Sequence, residues 1–158
     1  MSVSASTARL AAVTVLLGCL IVLLSQVVTG FTVVDETDSV IGTVTLFEQH
    51  GIATALVALV AALALVFAVA TGSRPAVIVV IGMGITVLLV FLLVDLPDVG
   101  STGMFDTPGA GNLDATGKAS AGLWMQMVGG LAIVFGAISL LRLNENQLRA
   151  IGPDRPGK

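Results

Sequence analysis

The chain has 158 residues, 56% hydrophobic and only 11% charged, with a formal net charge of -3. Soluble domains carry roughly a quarter charged residues, so this balance excludes an ordinary water-soluble globule. Acids outnumber bases, and no nucleic-acid partner is expected; the mean hydropathy of +1.04 points instead to the lipid bilayer.

Four charge-free stretches, 10–31, 51–73, 76–94 and 119–141, are each long enough to cross a hydrocarbon core of roughly 30 Å at about 1.5 Å per helical residue. Backbone groups in hydrocarbon must pair within their own segment, and none of these runs alternates as a barrel strand does, so all four read as helices. With their flanks they predict an all-α integral membrane protein, a four-transmembrane-helix antiparallel bundle. One domain over 1–150 holds helices at about 8–31, 46–73, 75–95 and 117–150, and 151–158 is expected to be a disordered cytoplasmic tail.

The first run follows Arg9 near the N-terminus, which is also the pattern of a signal peptide. It is longer than a signal core, and "SQVVTGFTVV" lacks an Ala-x-Ala cleavage pattern, so a retained span is expected. Cys19, the lone cysteine, reads as a small buried residue. In the first connection, "FTVVDETDSVIGTVTLFEQHG", two β-branched runs flank a charged turn, which predicts a small β-hairpin. Its end, "TLFE", has capping-box spacing: the Thr45 hydroxyl can bond the Glu48 N–H while the Glu48 carboxylate reaches back.

"TGSRP" then makes a tight turn, with Pro75 suited to the start of the third helix. That helix is expected to stop at "DLPD", where Pro97 disfavours helical geometry at Leu96 and Asp98 and Gly100 suit a turn. The glycine- and proline-rich stretch 95–118 reads as an irregular loop. Beyond the fourth run, "RLNENQLRAIG" extends the last helix, with Arg142, Glu145 and Arg149 at i,i+3 and i,i+4 spacing and a stop at Gly152 and Pro153.

Basic residues fix the expected orientation, because Lys and Arg of short loops stay on the cytoplasmic side. Arg9, Arg74, Arg142, Arg149, Arg155 and Lys158 share one side. The other holds Lys118 with Asp35, Glu36, Asp38, Glu48, Asp95, Asp98, Asp106 and Asp114. Both termini are therefore expected to be cytoplasmic, with loops 32–49 and 95–118 extracytoplasmic. Richness in Ala, Val and Gly, with Arg above Lys, suits a prokaryotic plasma membrane.

The candidate chemistry lies at the outer helix mouths. Glu48 and His50 open the second helix and Asp95 and Asp98 close the third, and the short turn on the far side makes these ends neighbours. Carboxylates and an imidazole are ligand types for a divalent cation; the same residues also serve as caps and turn formers. Gln26 and Gln126, about one turn inside the surface, are placed to bond each other or a partner helix, for on the order of 1 kcal/mol. Gly122, Gly129 and Gly136 recur every seven positions, a small-residue stripe matched by Gly51, Ala55, Ala58 and Ala62 on the second helix, while Gly82 and Gly84 thin the third. These stripes predict close packing inside the bundle. Trp124 and Phe47 read as interfacial anchors.

No ionisable residue falls within the four runs, which disfavours a proton-coupled pump. One histidine cannot supply a pair of haem ligands, one cysteine cannot exchange disulfides, and no Ser-His-Asp set occurs. Neither a cofactor nor enzymatic activity is expected. The sequence points to a small non-enzymatic accessory or structural subunit, working with a membrane-protein partner or as a homo-oligomer. The alternatives are a homo-oligomeric channel or facilitator for a small solute or cation, and an outer-surface divalent-cation sensor.

Overall fold

Uninterrupted Leu, Val, Ile and Ala leave the backbone to satisfy its own hydrogen bonds, and each apolar run is helical. The computed structural model describes residues 5–107 and 111–152. In chain order the elements are α1 (Ala5–Ser25), β1 (Thr29–Val34), β2 (Val40–Thr45), α2 (Leu46–His50), α3 (Ala53–Thr71) and α4 (Arg74–Val90). A π-helical turn (Phe91–Asp95) and α5 (Leu96–Asp98) continue α4, followed by β3 (Thr102–Thr107), β4 (Gly111–Ala119), α6 (Ala121–Leu141) and α7 (Glu145–Arg149). Four helical stretches, Ser6–Ser25, Ala53–Thr71, Arg74–Asp98 and Ala121–Leu141, are long and apolar enough to cross a membrane. The molecule is mostly helical, with one small sheet.

Several expected helix boundaries move, each for a local reason. The first helix ends at Ser25 rather than near residue 31, because the β-branched stretch Thr29–Val34 pairs with two other strands. The second is broken rather than continuous over 46–73. The Thr45–Glu48 capping box opens α2 as its spacing predicts, but Gly51 adopts φ 60°, ψ -139°, a conformation for which glycine is the default residue, and ends it. The third does not stop at Leu96, which is helical at φ -64°, ψ -37°. Pro97 lies in the first turn of α5, where its missing N–H costs little. The fourth helix is shorter than 117–150: residues 117–119 belong to β4, and a new capping box at Asn144 and Gln147 starts α7 after a break at Leu141. Arg142 is thus outside α7, and the expected i,i+3 pairing with Glu145 along one helix does not apply. Of the expected tail, 153–158 lies outside the described residues, as do Arg155 and Lys158.

Both long connections fold into antiparallel hairpins, so the stretch 95–118 is not irregular. They join as one four-stranded sheet, order β2-β1-β4-β3, through the β1–β4 pair that sets Phe31 opposite Ala119 and Val34 opposite Thr116. The β1–β2 turn is held by the Asp35 carboxylate, which accepts from the Thr37 and Ser39 N–H groups and the Thr37 hydroxyl. Those bonds keep the Asp35 carboxyl below its ordinary range, the Thr37 hydroxyl foremost. Lys118 on β4 reaches Asp38 in that turn at 2.7 Å.

Beneath the sheet, α1 packs along α6, and α4 packs on both α3 and α6. The α1–α6 seam is a close approach of backbones. A Cβ on Gly129 would meet the Gly18 carbonyl at 2.8 Å, one on Gly136 the Ala11 carbonyl at 3.0 Å, and one on Gly122 the Val28 carbonyl at 2.6 Å. The glycine stripe of the sequence is therefore spent inside the molecule, and its counterpart on α1 is Gly18. On α3 the buried stripe is Thr54, Ala58, Ala61, Leu65 and Ala68. Ala55 and Ala62 sit half-buried at its edge, and Gly51 contributes a break instead of a packing surface. On α4, Gly84 abuts Ile133 and Val134, whereas Gly82 faces open space.

Away from the sheet, arginines close helix C-termini. Arg149 donates from Nε to the Thr71 carbonyl and Arg74 from Nη2 to the Leu141 carbonyl, both at 2.9 Å. Cations on the last carbonyls of α3 and α6 complement the helix dipoles and satisfy acceptors that helical geometry leaves unpaired.

Candidate functional site

The apolar core stops short of the sheet, and polar side chains take over there. Asp95, Gln126, Ser25, Gln26 and Thr54 are all buried. They converge because α1, α3 and α6 begin or end at this level and the π-helical turn prolongs α4 into it. A π-helical turn widens the backbone by one residue and is frequent at functional positions. Here it delivers Asp95, 0% exposed, to the interior.

Both carboxylate oxygens of Asp95 are engaged. His50 Nε2, from the end of α2, bonds Oδ1. Gln126 Nε2, from the second turn of α6, donates to Oδ2 at 2.8 Å. Burial removes the hydration of a carboxylate at a cost of several kcal/mol, which partners must offset. The resulting chain His50–Asp95–Gln126 ties three separate helical elements together. Phe91, one turn before Asp95, stacks obliquely on Trp124, ring centroids 6.1 Å apart.

A second link lies one turn further out. Gln49 Nε2 donates to Asp98 Oδ2 at 2.6 Å. Between these helix ends and the inner face of the sheet lies a cavity of about 410 Å³, with Phe31, Val33 and Ala115 on its strand side and Gln49, Asp98 and Ser101 on its helical side.

The four proposed cation ligands are thus gathered at one end but not around one point. Glu48 turns back to Thr45, accepting from its N–H at 2.7 Å and its hydroxyl at 2.9 Å; the main-chain bond first, then the hydroxyl, holds its carboxyl below the usual range. His50 serves Asp95, and Asp98 serves Gln49. Among the described residues, no group of three or more His, Cys, Asp or Glu side chains is placed to hold a metal ion.

Of the two arrangements expected for Gln26 and Gln126, a bond to each other or to a partner helix, the first is not the one seen. Gln26 turns to Ser25 Oγ at 3.0 Å and to the Val22 carbonyl at 3.3 Å, while Gln126 takes Asp95. Asp95 was expected at the outer mouth of the third helix; its burial and its bond to Gln126 were not, because it sits just beyond the last uncharged position. The available signal was its apolar flanks, Leu92 to Val94 before it and Leu96 after, which suit a buried position better than a loop. Phe47 and Trp124 are both about half exposed at this level, Trp124 by 47%.

Comparison with known proteins finds no matching family model, no matching curated protein and no matching solved structure.

Proposed function

We propose that the chain is a non-enzymatic accessory or structural subunit of a prokaryotic plasma membrane. Its four helices cross the bilayer as an antiparallel bundle, with both termini cytoplasmic, and hold the sheet on the extracytoplasmic side as a docking platform for an envelope-protein partner. The orientation is supported by Arg9, Arg74, Arg142 and Arg149, all at helix ends away from the sheet, against the acids of the sheet end.

The observation that carries this reading is the merging of two separate connections into one sheet, beneath which the buried His50–Asp95–Gln126 chain ties α2, the π-helical turn and α6 together. A rigid exposed surface on a short membrane anchor suits recognition. Its edge strands, β2 and β3, present unpaired backbone groups of the kind used in strand addition, and Val40 on β2 is 62% exposed. The glycine seams, by contrast, are consumed within the chain, which moves the expected partner contact from helix faces to the sheet.

A subunit is favoured over a channel because Val15, Val22, Val80 and Ile133, all fully buried, fill the space between the helices with apolar side chains. The divalent-cation sensor loses its support with the dispersal of its four ligands.

Extraction from the source membrane in mild detergent, followed by intact-complex mass determination, tests the proposal. A fixed stoichiometry with a second protein, lost when the β2 edge is blocked by Val40→Pro, is the expected result. A homo-oligomer that conducts cations in liposomes overturns it.

A further inference from the structure

The cavity between the sheet and the helix ends is built by an unusual pairing of surfaces. Its strand wall comes from one face of the sheet, the inward positions Phe31 and Val33 of β1 with Ala115 of β4, and is apolar. Glycine keeps it open. A Cβ at Gly103 would meet nothing within 4 Å, whereas at Gly117 it would strike the Asp98 carbonyl at 2.9 Å. The strands therefore touch the end of α5 at Gly117 and stand away from it at Gly103.

The opposite wall is rich in acceptors. Gln49 gives its amide N–H to Asp98, and its carbonyl oxygen Oε1 is buried without a hydrogen-bond partner. Ser101 spends its hydroxyl proton on the Asp98 carbonyl at 2.8 Å, leaving its oxygen to accept. Asp98 adds a negative charge. A second hollow, sharing Gly103 and Ala115 with the first, brings Glu36 and Asp114 to its rim. The nearby base on the sheet, Lys118, is engaged with Asp38. A carboxylate and a hydroxyl oxygen over an apolar floor call for a ligand that donates hydrogen bonds, carries positive charge and has a hydrocarbon body.

We propose that this cavity binds a small amphipathic amine, with its ammonium group on the Asp98 carboxylate and the Ser101 hydroxyl oxygen and its alkyl portion against Phe31, Val33 and Ala115. The volume, about 410 Å³, suits a head group with a short chain, at the small end of ligand pockets, which span roughly 300–1,000 Å³. Such a group belongs to a soluble alkylamine or to the ethanolamine head of a lipid.

The test uses the full chain in phosphatidylcholine nanodiscs, isotope-labelled so that the Gln49 side-chain amide is read by NMR, and titrated with hexylammonium, hexanol and hexanoate. The expected result is a saturable shift with hexylammonium, with hexanol and hexanoate weaker by at least about tenfold, since a charge-assisted bond is roughly twice as strong as a neutral one. Asp98→Asn keeps an acceptor for Gln49 but removes the charge, and should weaken hexylammonium about tenfold while leaving hexanol unchanged. Gly103→Leu fills the cavity from a position with room for a side chain and should abolish binding of both. An unchanged Trp124 emission spectrum certifies the fold of each variant.

Equal affinity for hexylammonium and hexanol, absence of a saturable shift, or indifference to both substitutions overturns the proposal. Once saturable binding is seen, replacing part of the lipid with phosphatidylethanolamine separates the sources: competition assigns the site to a lipid head, and undiminished hexylammonium binding assigns it to a soluble amine.

Discussion

The α1–α6 seam and the polar junction beneath the sheet solve one problem by opposite means. Between helices long and apolar enough to lie in lipid, the hydrophobic effect gives little preference for helix over lipid tail, so association needs another source. Along the seam that source is proximity: Gly18, Gly122, Gly129 and Gly136 let main chains come close enough for dispersion and backbone contacts. At the junction it is polarity, with Asp95, His50 and Gln126 held by bonds that would be costly to leave unmade. The first device tolerates no added atoms, and the second tolerates no missing ones.

That contrast is broken most severely by Asp95→Ala. Removing one member of a buried, hydrogen-bonded pair typically costs about 3–5 kcal/mol, and here it strands both His50 and Gln126. Unfolding in detergent, followed by circular dichroism, should show this loss, and His50→Ala in the Asp95→Ala background should add little. Full additivity of the two would mean that the pair is not coupled.

Next in size is Gly129→Val, which drives a side chain against the Gly18 carbonyl and Val22. Overpacking of this kind costs about 1–3 kcal/mol or more. Gly82→Ala is its control: a helix-favouring change in open space, it should be neutral or stabilise by up to about 1 kcal/mol. Equal losses at both positions would remove the seam as a special contact.

Gln126→Leu sharpens the other side of the comparison. It keeps the volume but withdraws one donor from Asp95, for an expected loss of about 1–3 kcal/mol, smaller than that of Asp95→Ala because the His50 bond remains. A thermal scan of the two variants side by side checks the order.

The smallest effect belongs to the cap that lies outside both regions. Thr45→Ala should cost about 1 kcal/mol and release Glu48. Because the folded protein holds the Glu48 and Asp35 carboxyls below their ordinary range, their contribution is complete above the unfolded carboxylate range of about pH 4. It is lost as pH falls through the lower folded values. Wild-type stability should therefore decline on acidification below that range, with a shallower decline in Thr45→Ala.

The helices were legible because hydrocarbon imposes one solution on an uncharged run, and Thr45 with Glu48 announced a cap through spacing alone. The hairpin of the first connection was signalled by its β-branched runs. The second hairpin was not, because "STGMFDTPGAGNLDATGKA" is too rich in glycine to look like strand; its pairing with β1 supplies what its own propensity lacks. The burial of Asp95 escaped for another reason. Counting charge within a run defines the run by where charge begins, so an acid at its end is assigned to water by definition. Only the π-helical turn, which nothing in "FLLVD" announces, carries it inward.

The central pair of the sheet also sets an order of manufacture. Val34 is synthesised long before Thr116, its partner on β4, with two complete apolar helices in between. At about 5–20 residues per second, the first hairpin waits several seconds with an unsatisfied edge. The sheet can therefore close only after α3 and α4 have been made, so that a finished β1–β4 pair marks the completion of both apolar helices between them.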